Sequence, residues 1–379
     1  GNILGSQATN VQMIYGANIL TGYAAAPVDA LVEISTTDVF FQHERAKYLS
    51  WFILALYAGS DLGPVACGYI VESLRWRWCY YIQIIIFGCI LVVQLFYMED
   101  TTFEIREEKD TEEEIIAQIK SRETGDYKEI HHITSQEQSS ETESDDGSID
   151  PSIPLRPYWK RMQLVETEYS DKRSWFTIFI RPFFLLTFPA VIWGGIVYGA
   201  QMMWLSLLAT TQSLIFASSP YDFSDASVGL TNLGPLVGSV IGMFYGGPLV
   251  DWATIKLARR NNGVLEPEFR LWMMAVPTLF NAVGLVAYGI GASSGVHWFV
   301  PVGLGGFFLG FAMGSSGSIC LTYYVDSYPK LPSEGMVMML FIRNCIGCGF
   351  TFAIQPWLDR NGLKTTSWLL FMLSIIING

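Results

Sequence analysis

From Tyr48 to Ile70 the chain reads YLSWFILALYAGSDLGPVACGYI, an apolar run with one carboxylate, Asp61, at its middle. About 20 such residues cross the hydrocarbon core of a bilayer as a helix, and no other feature restricts the fold so strongly. Gly59 and Gly63 are four residues apart and stack on one helical face, where missing side chains let a neighbouring helix approach closely. Pro64 lacks a backbone donor and crowds the preceding turn, which predicts a kink. Asp61 lies two residues from each glycine, roughly 200° around the helix, and so points away from that stripe. A charged carboxylate at mid-bilayer costs at least ~2.5 kcal/mol, so Asp61 must face protein or a wet cavity. It is then either a functional group, or protonated or paired and simply packed.

The same kind of run recurs. Spanning segments are predicted at about Val11–Ile34, Tyr48–Ile70 and Trp76–Met98, and again at Phe183–Phe216, Val228–Val250, Leu271–Gly291, His297–Tyr324, Glu334–Trp357 and Thr366–Gly379. Residues Gly1 to Ala8 read as the tail of a further helix, and the final run is still apolar at Gly379, so the sequence predicts a chain cut at both ends. Hydrophobic residues make up 51% of the chain and charged ones 15%, with a mean hydropathy of +0.32. The fold class is therefore all-α, a polytopic helical membrane protein in which a bundle at residues 1–98 and a second at 183–379 flank a polar linker at 99–182.

The net charge of −12 is local. Residues 99–150 hold 18 acidic and 5 basic side chains, a net of −13, which leaves +1 for the rest. No basic groove suggests nucleic acid. This interval is rich in Glu, Ser, Thr and Gln and poor in aromatics, which predicts a disordered, solvated linker with one short helix near Thr111–Ile119. Ser140 and Thr142 each stand three residues before an acid, a pattern that an acid-directed kinase accepts. Lys160, Arg161, Lys172, Arg173 and Arg181 then cluster against the next membrane entry, which predicts that the linker is cytoplasmic. Alternation puts Arg45, Lys47, Lys256, Arg259, Arg260 and Lys330 on that same side.

The six cysteines lie in or at the edge of apolar runs and form no disulfide framework. Cys345 and Cys348 have redox-motif spacing without the βαβ context such a motif needs. The four histidines are scattered, and no phosphate-binding loop is present. Nothing predicts a metal, a cofactor or an enzyme.

The two halves share a pattern. Gly59, Gly63, Pro64 and Gly68 are echoed by Gly234, Pro235, Gly238, Gly242 and Gly246, whose four-residue spacing forms a narrow slanting groove for a partner helix. Two bundles packed through such grooves would leave a cavity between them.

These residues resemble a fungal branch of the major facilitator superfamily, the drug:proton antiporter and amine transporter type. The stretch from Gly59 to Gly68 is similar to the antiporter motif of that family's fifth helix, with Cys67 standing where the family has the first of two glycines. Asp38–Phe41, His43-Glu44-Arg45, Trp76-Arg77-Trp78, Pro220–Ser224, Ala258–Asn261, Glu266–Arg270 and Asp326–Pro329 are also similar to the fungal group. The resemblance implies twelve helices in two pseudo-repeated bundles. This chain would begin near the end of the third helix and stop within the twelfth, leaving the first bundle incomplete.

The resemblance further implies that the fourth, seventh and tenth helices line a central path. Asp29 and Glu33 share a helical face, and their proximity and desolvation would favour a proton carrier, as for Asp61. Glu33 is alternatively a solvated residue at the helix end. Tyr198, Gln201 and Trp204 form a polar and aromatic face suited to an organic cation or flat solute, or to packing alone. Asn232, Arg343 and Asn344 are further intramembrane polar groups, of which Arg343 requires a partner that the sequence does not name. Asp251, Arg259 and Arg260 are similar to the family's loop gate, although a generic positive-inside loop accounts for the same charges. The expected function is a proton-coupled secondary transporter of a small organic solute (drug-like, amine or metabolite), monomeric, in a plasma or vacuolar membrane. The competing expectation is a non-transporting sensor or an inactive remnant.

Overall fold

A computed structural model describes residues 1–40, 42–97, 175–328 and 332–378. The predicted linker helix, Ser140 and Thr142 lie outside these residues. The described residues form helices and turns, without a strand. The first half contains α1 (Asn2–Ser6), α2 (Val11–Val39), α3 (Gln42–Leu74) and α4 (Arg77–Tyr97). The second begins with α5 (Trp175–Phe184) and α6 (Pro189–Phe216), followed by α7 (Asp225–Leu230), α8 (Leu233–Phe244) and α9 (Val250–Arg260). It ends with α10 (Phe269–Trp272), α11 (Ala275–Ser293), α12 (Gly306–Ser327) and α13 (Pro332–Asn378). Residues 1–91 and 173–379 belong to one compact unit.

Among the described residues, seven helical stretches are long and apolar enough to span a membrane. None of the apolar window of α4 is buried within the chain, and Ile85, Phe87, Leu91 and Phe96 all stand exposed on it. An apolar surface of that extent demands lipid or further helices to cover it. The core lies instead along α6 and α12, where Tyr198, Trp204, Leu309, Met313, Leu321 and Tyr324 are all buried.

The boundaries follow local chemistry. Ser224 caps α7 by accepting a hydrogen bond from the backbone amide of Ser227. Between α8 and α9 the helix widens into a π turn at Tyr245–Leu249, where Pro248 supplies no backbone donor. The predicted Val228–Val250 segment is thus a longer, interrupted path from Asp225 to Arg260. The two segments expected near the C-terminus form α13, broken at Gly362, whose φ of 69° suits a residue without Cβ.

The glycine groove of the second half meets α12 directly. A side chain at Gly238 would strike the carbonyl of Phe307, and one at Gly242 that of Phe311; a Cβ at Gly246 would lie 2.8 Å from Ser315 Cα. Gly310 and Gly314 of α12 answer with the same spacing, facing Pro235 and Ser239. Small residues on both helices let the two backbones touch.

In the first half the expected stripe is corrected. Among the described residues nothing lies within 4 Å of a Cβ built on Gly59 or Gly63, and both are exposed. The packed face of α3 is the opposite one, carrying Leu49, Ile53, Tyr57 and Asp61 at four-residue spacing. Bulky apolar side chains won that face because they bury area, which glycine cannot do. Only Gly68 makes a close approach, its Cβ position 2.8 Å from the carbonyl oxygen of Asp225, and Gly229 answers at 2.8 Å from that of Pro64. Gly229, which stands outside the stripe of Gly234 to Gly246, is therefore also a contact glycine. α3 runs on through Pro64 as one helix.

Candidate functional site

The polar centre of the molecule is assembled from α2, α3, α6 and α13. Gly199 of α6 brings α13 so near that a Cβ there would lie 3.3 Å from Arg343 Cα. That approach lets the Arg343 guanidinium reach the residue before Gly199: its Nη1 donates to Tyr198 Oη at 2.9 Å, and the group lies 4.8 Å from the centre of the Tyr198 ring. Gly317 of α12 leaves room for that ring, its Cβ position 3.3 Å from Tyr198 Cε2. Nη2 of Arg343 donates to the carboxylate of Asp29, and Nε donates to Asn344 Oδ1 at 3.3 Å. The partner that the sequence left unnamed is Asp29, with Tyr198 beside it.

Asp61 is in a different situation. It is 4% exposed, yet among the described residues no hydrogen bond or ion pair engages its carboxylate. One turn before it, Tyr57 lies within electrostatic reach of Asp61, Asp29 and Arg343, and its buried hydroxyl has no hydrogen-bond partner. A carboxylate in such a place lacks the partner that buried charges ordinarily have. The two carboxylates expected to act alike are thus divided: Asp29 is paired with an arginine, and Asp61 has no such partner among the described residues. The side chain of Glu33 lies outside the described residues.

Along α6, Tyr198, Gln201 and Trp204 do share a face, and all three are fully buried. Gln201 Nε2 donates to Asn378 Oδ1 at 3.3 Å and to the Val197 carbonyl, while Gln201 Oε1 and Trp204 Nε1 have no partner among the described residues. The cation over the Tyr198 ring is the chain's own Arg343. Buried polar atoms without partners are uncommon, and among the described residues Tyr57 Oη and Asn281 Oδ1 are two more of them.

Asn232 sits apart, at the start of α8, where its amide donates to the Gly229 carbonyl at 3.1 Å. It lines a cavity of about 360 Å³ with Ser60, Pro64, Gly68, Gln212 and Asp225, between α3 of the first half and α6 to α8 of the second. Asn344 is exposed.

The expected gate is also rearranged. Asp251 pairs with Arg270 at 2.7 Å, and Arg270 Nε also donates to Asp326 at 2.7 Å, so one buried guanidinium joins α9, α10 and α12. Arg259 and Arg260 are exposed in the last turn of α9. A planar guanidinium with divergent donors can bridge two carboxylates, which the exposed, solvated arginines have no need to do. Arg270 ends one of the loop signatures and Asp326 begins another, and their opposite charge was the signal that could have paired them. Close by, Ser50 and Ser318 hydroxyls meet at 2.6 Å, and Ser318 donates to the Gly246 carbonyl, tying α3 to the second half.

The family model described as Major Facilitator Superfamily matches residues 1–352. An uncharacterized MFS-type transporter of Schizosaccharomyces pombe is 35% identical over 93% of this chain and 64% of its own length. Protein HOL1 of Saccharomyces cerevisiae is 29% identical over 92% of this chain and 66% of its own, and the MFS transporter fsa7 of a Fusarium species is 26% identical over 94% and 62%. The chain spans just under two thirds of the length of these relatives. No solved structure matches.

Proposed function

Because this chain belongs to the Major Facilitator Superfamily and its relatives include membrane transporters, we propose that it serves in a secondary active transporter that couples protons to the movement of a small organic solute. The observation that carries the reading is Asp61, a carboxylate buried without a partner on the face of α3 that packs against the second half. A proton carrier must be stable when neutral and must ionise when a cavity opens to water. Burial of Asp61 without an ion-pair partner supports the first requirement, and the adjoining interface of α3 with α6 to α8 is where an opening would hydrate it. The ion pair of Asp29 with Arg343 supplies the complementary element, a charge held between the two halves that a rearrangement of α2 against α13 would break and reform. The orphaned polar atoms of Tyr57, Gln201 and Trp204 are the groups that a solute with both polar and aromatic character would satisfy.

The finer reading is the drug:proton antiporter and amine type, supported by the order of its motifs along the chain, with a monomer in the plasma membrane and residues 99–182 on the cytoplasmic side. The test uses vesicles containing the protein and a trapped pH-sensitive dye, challenged with a panel of organic amines and drug-like solutes. Asp61→Asn should abolish gradient-driven accumulation and the accompanying proton flux while leaving down-gradient exchange. Normal abundance together with unchanged accumulation and pH profile in that variant would refute the assignment.

A further inference from the structure

At the end of the helices marked by Lys256, Arg259 and Arg260, a second cavity of about 530 Å³ opens between the first turn of α6, the segment around α10 and the last turn of α12. Its walls are aromatic. Trp193 and Tyr323 meet at 5.6 Å with their planes at 82°, forming a corner, and Tyr328 supplies a further wall, held edge-on against Phe188 at 5.0 Å and 86°. Glu268 completes the lining. Among the described residues its carboxylate has no hydrogen bond or ion pair, because the nearby Arg270 is already shared between Asp251 and Asp326. Among the described residues that line the cavity, Glu268 is the charged one.

We propose that this cavity is a binding site for an organic ammonium group, held by the faces of Trp193, Tyr323 and Tyr328 and by the free carboxylate of Glu268. The charged group in the lining is a carboxylate, which opposes an anion and favours a cation. A tightly hydrated inorganic cation needs several oxygen ligands, and the described residues provide no cluster of metal-ligating side chains. An alkylated ammonium has the right properties: a diffuse charge, a weak hydration shell and apolar substituents that ring faces attract. The cavity volume is in the range that accepts a small organic molecule. The same chemistry is offered by a free amine in the water phase and by the choline headgroup of a lipid, since the site opens at the end of spanning helices.

The test is binding of radiolabelled choline to the purified full chain in a maltoside detergent, with tetramethylammonium as competitor. Saturable binding that tetramethylammonium displaces, and that potassium at equal ionic strength does not, is expected. Glu268→Gln and Trp193→Leu should each weaken it roughly tenfold. Glu268 is exposed and its replacement leaves the helices intact, which keeps the outcome interpretable if Trp193→Leu folds poorly. Reconstitution in phosphatidylcholine against phosphatidylglycerol nanodiscs separates the sources. Loss of choline binding only in phosphatidylcholine identifies the lipid headgroup as occupant, and equal binding in both identifies a free amine. Absence of saturable binding, or Glu268→Gln binding choline like the unaltered protein, would overturn the proposal.

Discussion

Replacing Asp29 by Asn should destabilise the protein far more than the same change at Asp61. The Arg343 side chain is 4% exposed, and Asp29 is the carboxylate it pairs with, the Tyr198 hydroxyl and the Asn344 amide being neutral. Removing one partner of a buried pair leaves an uncompensated charge, which costs about 3–5 kcal/mol where both groups are fully buried. The Asp29 side chain is 27% exposed, so water softens the loss to below that range, about 2–3 kcal/mol. Such a loss changes the folding equilibrium roughly 30-fold to 150-fold. Arg343→Gln in the same background removes the stranded charge and should recover much of the loss, giving a coupling of more than about 1 kcal/mol between the two sites. Asp61→Asn removes no ion pair and should stay within about 1 kcal/mol. Reversible unfolding of the purified protein in mixed micelles of increasing sodium dodecyl sulfate, followed by tryptophan fluorescence, gives all four values. Strict additivity of Asp29→Asn and Arg343→Gln would refute the reasoning, as would equal destabilisation at Asp29 and Asp61.

Gly238→Leu or Gly242→Leu drives a side chain into the α12 backbone and should destabilise by about 1–3 kcal/mol or more, whereas Gly88→Leu, with nothing within 4 Å of its Cβ position, should be tolerated; the same unfolding assay compares them. Arg270→Gln strands Asp251 and Asp326, so a loss of about 2–3 kcal/mol is expected, and Arg270→Lys should recover only part of it because an ammonium lacks the planar fork that reaches both carboxylates. On the proposed cytoplasmic placement of the linker, which the flanking basic clusters motivate, a glycosylation acceptor inserted near Ser139 should remain unmodified in microsomes; efficient modification would reverse the orientation.

The sequence by itself determined the kind of fold and the places where backbones touch in the second half. Runs of apolar residues long enough to span a bilayer leave a helix as the local structure whatever the tertiary arrangement, and glycines at four-residue spacing define a groove before any partner is known. Gly238 and Gly242 were legible for that reason, and Gly310 and Gly314 carry the same spacing. The face of a helix that packs is another matter. On α3 the glycines and the row from Leu49 to Asp61 both offered a surface, and only the neighbouring helices decided that the larger side chains would be covered. Charge pairing is likewise a tertiary property. Asp29 and Arg343 are 314 residues apart, and Asp251 might have met any of several basic residues, so composition and spacing could name the charges and not their partners. The division between Asp29, neutralised by an arginine, and Asp61, buried alone, arises because a carboxylate in a low-dielectric interior is governed by the groups within a few ångströms, and the sequence does not order those groups in space.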